Sequence, residues 1–240
     1  MQTVSAFHKK SAALLLKLSR RAGFAALAFL VISFALSFRL PWWITWENGP
    51  VEMLQNVILL EGFFLCVGYY VRDKKTVEGT LRTKAPLIPP AVWILGALIF
   101  LLLFGREISW GRVFFVESIG RFGPEFTDQS KLSFFWMVKP VVALLIVTIL
   151  AGFYRWFPRK SVLLQVPFPL YPFAMLCLCS FIALMGDHSV LQKIIGHAPA
   201  IAMEECAELA IYYLLVFLTW YYHKWFVRLN KTNRNKTLLP

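Results

Sequence analysis

Charged side chains are scarce in this sequence of 240 residues, and acidic ones are the scarcest. Asp, Glu, Lys and Arg together make up 16% of the chain, and only 13 residues are acidic. Soluble globular domains typically carry about 25% charged residues. So few charges cannot solvate the surface of a chain of this length, which excludes a soluble globular protein.

Cysteine and histidine are also few, with four of each. All four cysteines lie inside apolar runs, where a cysteine behaves as a small hydrophobic residue, so no disulfide framework is indicated. The chain also lacks an H-E-x-x-H zinc motif, a nucleophile elbow and a Gly-rich phosphate loop. No compact motif in the sequence therefore favours a common class of reaction.

Apolar runs of membrane-spanning length are what the sequence has in abundance. Hydrophobic residues make up 58% of the chain and the mean hydropathy is +0.62. We predict an all-α polytopic membrane protein, with about six transmembrane helices in a single transmembrane helical domain over residues 1–240. The first apolar run is interpreted as a retained helix and not as a signal peptide, because it is near span length and follows a long basic region. The predicted spans are 22–40, 50–71, 90–107, 134–153, 165–186 and 201–223.

The distribution of charge predicts the orientation of these spans. Most of the 25 Lys and Arg residues lie in segments 1–21, 72–89, 154–164 and 224–240, which the predicted spans place on one side. Cytoplasmic segments carry such an excess, so the N- and C-termini are predicted to be cytoplasmic. Because the basic residues serve orientation, the net charge of +12 gives no reason to expect a nucleic-acid partner.

Polar groups from four separate stretches, 46–56, 105–112, 186–189 and 203–208, are predicted to meet at the outer end of the bundle. Burying a charge there costs several kcal/mol unless it is paired or hydrated, so such residues are candidates for function. Helical spacing puts Glu205 and Glu208 on one face of the last span. The ten candidate site residues are Glu52, Gln55, Arg106, Glu107, Arg112, Asp187, His188, Glu204, Glu205 and Glu208.

Simpler explanations stay open for several of these residues. The helix dipole favours carboxylates at the starts of the second and last spans. Arg106 and Arg112 either extend to headgroup phosphates or pair with the glutamates of the last span. His188, next to Asp187, is either a hydrogen-bonded loop residue or a ligand.

A first hypothesis for the chemistry is a metal-dependent, lipid-modifying enzyme acting at the outer leaflet. Glu205, Glu208 and His188 would suit a divalent metal ion, the cofactor that this hypothesis requires. Arg106 and Arg112 would hold a lipid phosphate beside Glu107, and these three are the predicted catalytic residues. Four further residues are predicted to line the site, and membrane lipids are the predicted partners. The lining residues are Glu52, Gln55, Asp187 and Glu204.

Two alternatives from other classes stay open. Ion- or proton-coupled transport would need a polar residue at mid-depth, and Glu61 is the residue that fits. An accessory subunit would instead use the mixed charges of the outer end to dock a membrane-protein partner.

Three short motifs carry a resemblance to a group of uncharacterised bacterial multi-pass membrane proteins. They are Trp-Glu-Asn-Gly-Pro-Val-Glu at 46–52, Gly-Arg-Glu-Ile-Ser-Trp-Gly-Arg at 105–112, and Glu-Glu-x-x-Glu at 204–208. The usual form of the second motif in that group is Glu-Glu-Ile-Ser-Trp-Gly-Gln-Arg, so Arg106 stands here for the first Glu and Arg112 for the Gln. The resemblance implies a location in the bacterial inner membrane and brings no known activity with it.

Overall fold

Helices make up most of the chain in the computed structural model, which describes residues 2–45, 48–78, 88–120, 123–157 and 160–237. Within these ranges there are eight α-helices and one antiparallel β-hairpin. The hairpin strands are β1 (Val116–Gly120) and β2 (Gly123–Phe126). The helices are α1 (Gln2–Ser37), α2 (Pro50–Glu78), α3 (Ala91–Glu107), α4 (Val138–Trp156), α5 (Lys160–Leu163), α6 (Leu170–Asp187), α7 (Val190–Ile195) and α8 (His197–Thr237).

Four stretches of helix in the described chain are long and apolar enough to cross a membrane. They are Ala12–Ser37, Pro50–Thr76, Phe135–Trp156 and Leu170–Asp187. They correspond to four of the six predicted spans. The other two predicted spans fall on α3, which has 17 residues, and on α8, whose first turns carry several glutamates.

Two of the predicted spans differ from the corresponding helices in where they begin and end. The predicted span 165–186 begins too early, because Pro167 and Pro169 cannot donate backbone hydrogen bonds and α6 begins only at Leu170. The predicted span 201–223 is the central part of α8, which has 41 residues. Polar residues beyond a span continue a helix as readily as apolar ones do, so hydropathy does not locate the helix ends.

Helix α8 is the centre of the bundle. Helices α1, α2 and α6 all pack on α8, α3 packs on α2, and α4 packs on α3. Small residues lie where α1 and α8 meet, with Ala26 in the same buried cluster as Ala207 and Ala210. Small side chains at such contacts let helices approach closely, which is how helices associate in lipid.

The chain enters α1 and leaves α8 at the same end of the bundle. Leu15 of α1 belongs to the same buried cluster as Tyr221 and Trp225 of α8. Further along α1, Leu30 belongs to a cluster with Ala207 instead. The two helices are therefore antiparallel.

The two ends of the bundle differ in their polar residues. The histidine end holds His223 and the start of α1. The carboxylate end holds Glu52, Glu107, Glu204 and Glu208, where α2 and α8 begin and α3 and α6 end.

The long connection between α3 and α4 is folded at the carboxylate end. A kinked segment at Ser109–Phe114 follows α3, and the β-hairpin comes after it. Lys131, just after the hairpin, pairs with Glu117 of β1, with Nζ and Oε1 3.0 Å apart. Two hydrogen bonds from Ser130 lower the pKa of the exposed Asp128 carboxyl. The sequence predicted this connection but no strands within it.

Candidate functional site

Arg106, in the last turn of α3, joins two buried glutamates of the carboxylate end. Its Nη2 lies 2.5 Å from Glu208 Oε1 of α8, and its Nη1 lies 3.7 Å from Glu107 Oε1. Glu107 is 8% exposed and Glu208 is 7% exposed. Of the two alternatives left open for Arg106, the structure therefore shows pairing with a glutamate of α8.

Tyr212 completes this network, and the sequence did not single it out. Its hydroxyl donates to Glu107 Oε1 at 2.5 Å and accepts from Arg106 Nη1 at 3.3 Å. The hydroxyl thus uses both its proton and a lone pair. Tyr212 lies four residues after Glu208, one helical turn further along the same face of α8, and that spacing was the available signal.

A turn in the left-handed region of the backbone ends α3 at this point. Ser109 and Trp110 have φ values of 43° and 53°, and Gly111 has a φ of 94°. The turn folds the Trp110 ring back onto Gly105, where a Cβ atom would lie 2.7 Å from the ring. Left-handed conformations cost a non-glycine residue roughly 1–2 kcal/mol each, and such strained residues cluster at functional sites.

A second set of contacts joins the start of α2 to α8. Gln55 Nε2 donates to the Glu205 backbone oxygen at 2.9 Å and to Glu205 Oε2 at 3.0 Å. Glu52 is buried at 5% exposure and accepts from the backbone N–H of Asn48, just before α2. A carboxylate in this position compensates the unpaired N–H groups of a helix start.

Two buried acceptors on the same part of α2 have no hydrogen-bond donor within the described chain. They are Gln55 Oε1 and Asn56 Oδ1. Gln55 has no exposed surface. An unsatisfied buried acceptor costs about 1–3 kcal/mol, so these atoms favour a ligand that donates hydrogen bonds.

A third set of contacts joins the end of α6 to α8. The Asp187 and Glu204 carboxyl groups lie close enough to interact directly. The helices meet closely here, since a Cβ atom at Gly186 would lie 2.6 Å from Glu204 Oε2.

Most of the predicted site residues are thus brought to one end, and two lie at its edge. His188 is exposed at the end of α6. The Arg112 guanidinium lies 5.7 Å from the centre of the Phe126 ring, on the hairpin. The described residues include no group of three or more His, Cys, Asp or Glu side chains placed to hold a metal ion. Glu205, Glu208 and His188 are therefore not grouped in this way: Glu205 contacts Gln55, Glu208 contacts Arg106, and His188 is exposed.

Glu61, which the transport hypothesis required, is exposed on the surface of α2. The buried face of α2 includes Gln55, Leu59 and Cys66, at helical spacing. Glu61 lies off that face, so the structure does not place it below the Arg106 network.

An apolar cleft with a volume of about 260 Å³ lies between α1, α2 and α8. Its walls are formed by Ala25 and Phe29 of α1 and Ile58 of α2, and by Leu209 and Tyr213 of α8. Phe29 is 36% exposed and Tyr213 is 42% exposed, so the cleft opens on the side of the bundle.

The histidine end has its own polar cluster, which the sequence did not predict. His223 has no exposed surface and stacks on Tyr69 with ring centres 3.5 Å apart. Its Nε2 lies 2.9 Å from Arg72 Nη2, and Trp93 Nε1 donates to Asp73 Oδ2 at 3.0 Å. Arg72 and Asp73 were expected in a loop, and they reach this cluster because α2 continues to Glu78.

Comparisons with known proteins assign no family to the chain. No family model, no curated protein and no solved structure matches it. The resemblance of the Ile-Ser-Trp-Gly region to bacterial membrane proteins therefore stays a prediction, and the function is argued from the geometry.

Proposed function

We propose that this chain is a six-span protein of the bacterial inner membrane that binds a lipid headgroup or a cation at its carboxylate end. In this proposal both termini are cytoplasmic, and α3 and α8 cross the membrane with the four more apolar helices. The antiparallel α1 and α8 support two termini on one side, and the basic segments favour the cytoplasm as that side.

The observation that carries the proposal is the gathering of buried carboxylates where several helices begin or end. Glu52, Glu107 and Glu208 are all less than 9% exposed, although burying an ionised carboxylate is costly. Arg106 pairs with Glu107 and Glu208. Glu205 is engaged by an uncharged amide, so this side of the network favours an added positive charge or hydrogen-bond donor.

The chemical groups of the described site residues are suited to binding. They provide acceptors, carboxylates and one exposed arginine flank, since the Arg106 side chain is 53% exposed. Modification of the bound lipid would need a further activating group, and the described residues do not assemble the metal set predicted from the sequence. We therefore propose binding, and not lipid modification, as the function of this site.

Headgroup crosslinking tests the proposal. We expect a phospholipid with a photoreactive headgroup to label residues 48–56 and 203–208 in membranes, because the proposed site is formed there. Glu205→Gln should reduce this labelling several-fold, since it removes one charge of the site. Peptide mass spectrometry after irradiation measures the labelled positions.

The control for this experiment is Glu61→Gln, which removes a carboxylate from the exposed face of the same α2 helix. Its labelling should equal that of the parent protein. Even labelling along the exposed helix faces, unchanged by Glu205→Gln and by Mg²⁺ or Na⁺ titration, would contradict the proposed binding site.

The orientation is tested separately with single cysteines in a variant whose four native cysteines are replaced. We expect Ser118→Cys, on the exposed hairpin, to react with a membrane-impermeant maleimide in cells whose outer membrane alone is permeabilised. Thr237→Cys, at the end of α8, should react only after the inner membrane is opened. The reverse pattern would overturn the proposed topology.

A further inference from the structure

The apolar cleft begins one helical turn from the unpaired acceptors of the carboxylate end. Ile58 follows Gln55 by three residues on α2, and Leu209 follows Glu205 by four residues on α8. Residues at these spacings lie one above the other on a helix face. The polar side chains of Gln55 and Glu205 and the apolar cleft are therefore two ends of one continuous surface.

The cleft has the position and lining of a groove for a hydrocarbon chain. Apolar side chains of α1, α2 and α8 line it. The distance from Leu209 to Tyr213 along α8 is about 6 Å, so the cleft holds only the part of a chain nearest the polar group. The exposed rim of Phe29 and Tyr213 lets the rest of the chain lie in the bilayer.

The hydrogen-bond acceptors above the cleft favour one kind of lipid headgroup. Gln55 Oε1 and Asn56 Oδ1 are acceptors without a donor in the described residues, and the Glu205 carboxylate beside them also accepts. An ammonium group with N–H bonds satisfies such atoms, whereas a quaternary ammonium has no N–H to donate. A metal ion alone would leave the adjoining cleft unused.

We propose that this surface binds a membrane lipid whose headgroup ends in a protonated primary amine. The ammonium group donates to Glu205 and Gln55, and the first part of an acyl chain lies between Phe29, Ile58 and Leu209. This inference rests on the proposed function and adds the chemical class of the ligand.

Matched lipids test the inference. Delipidated protein in detergent is mixed with dioleoylphosphatidylethanolamine or with its N-acetyl derivative, which has the same chains but an uncharged amide in place of the ammonium. Native mass spectrometry measures the bound fraction. We expect the amine lipid to bind about tenfold more tightly, the effect of one or two charge-assisted hydrogen bonds.

Two variants separate the headgroup from the chain. Glu205→Gln should remove the preference for the amine lipid and leave weak binding of both lipids. Ala25→Phe should weaken both lipids equally by filling the cleft from its exposed wall, while Ala28→Phe, on an exposed position of α1 outside the cleft, should change neither. Because Ala25 is exposed, its variant is informative even if Glu205→Gln does not fold.

Failure of this inference differs from failure of the proposed function. Equal binding of the two lipids, with both weakened by Glu205→Gln, overturns amine recognition but keeps the carboxylate end as the binding site. Saturable protection from thermal unfolding by Mg²⁺ alone, with no lipid preference, also overturns the amine lipid and leaves cation binding. If Glu205→Gln changes the binding of neither lipid nor cation, both proposals are wrong.

Discussion

Replacing Arg106 by alanine is expected to lower the free energy of unfolding by about 2 kcal/mol. The change leaves Glu208 buried without its partner at 2.5 Å and removes a donor to Tyr212. Breaking a fully buried pair costs about 3–5 kcal/mol. The expected cost is smaller here because the Arg106 side chain is 53% exposed and solvent screens it.

Thermal unfolding in detergent measures this effect, with an expected decrease in Tm of about 4–8 °C for a chain of this size. The control is Lys131→Ala, which breaks the exposed pair with Glu117 and should cost less than about 0.5 kcal/mol. In the double variant with Glu208→Gln, the loss of Arg106 should cost much less. Equal losses for Arg106→Ala with and without Glu208 would show that the ion pair is not what stabilises this end.

Replacing Gly23 by valine is expected to destabilise the bundle by about 3 kcal/mol, at the upper end of the cost of overpacking. A Cβ atom at Gly23 would lie 2.8 Å from Tyr171 Cβ and 2.9 Å from the Tyr171 backbone carbon. Backbone atoms cannot rotate away as a side chain does, so α1 and the start of α6 must separate.

The matched control is Gly68→Val on α2, where a Cβ atom would meet nothing within 4 Å. Both changes add the same side chain to a helix, and both gain the same small helix propensity over glycine. Thermal unfolding should therefore separate them by the packing cost alone. Similar melting temperatures for the two variants would refute the close contact of α1 with α6.

The gathering of polar groups at one end could be predicted from the sequence because it follows from the alternating direction of the spans and from helical spacing. Once the spans alternate in direction, the start of α2 and the end of α3 must lie at one level. Helical spacing then turns Gln55 and Glu205 toward the bundle interior, where they meet at 3.0 Å. Burial of these groups follows from the cost of facing lipid.

The partners of these groups depend on neighbours that hydropathy does not specify. Tyr212 lies within an apolar run, and only the position of α3 beside α8 gives its hydroxyl two partners. His223 is the last residue of the predicted span 201–223, and hydropathy does not show that α2 extends far enough to bring Arg72 to it. The partners of the predicted metal-binding glutamates were likewise not specified by hydropathy, since Glu208 contacts Arg106 and Glu205 contacts Gln55.

In the proposed topology, α8 crosses the membrane, and its two arginine contacts then set the thickness of bilayer that suits the protein. Its Glu208 contacts Arg106 and its His223 contacts Arg72, and both arginine side chains are about half exposed. Fifteen residues separate these two positions, or about 22 Å along a helix. A typical hydrocarbon core is about 30 Å thick, so the two guanidinium groups must extend outward along their stems or thin the surrounding lipid. Hydrophobic mismatch should therefore favour this protein in the thinner regions of a membrane.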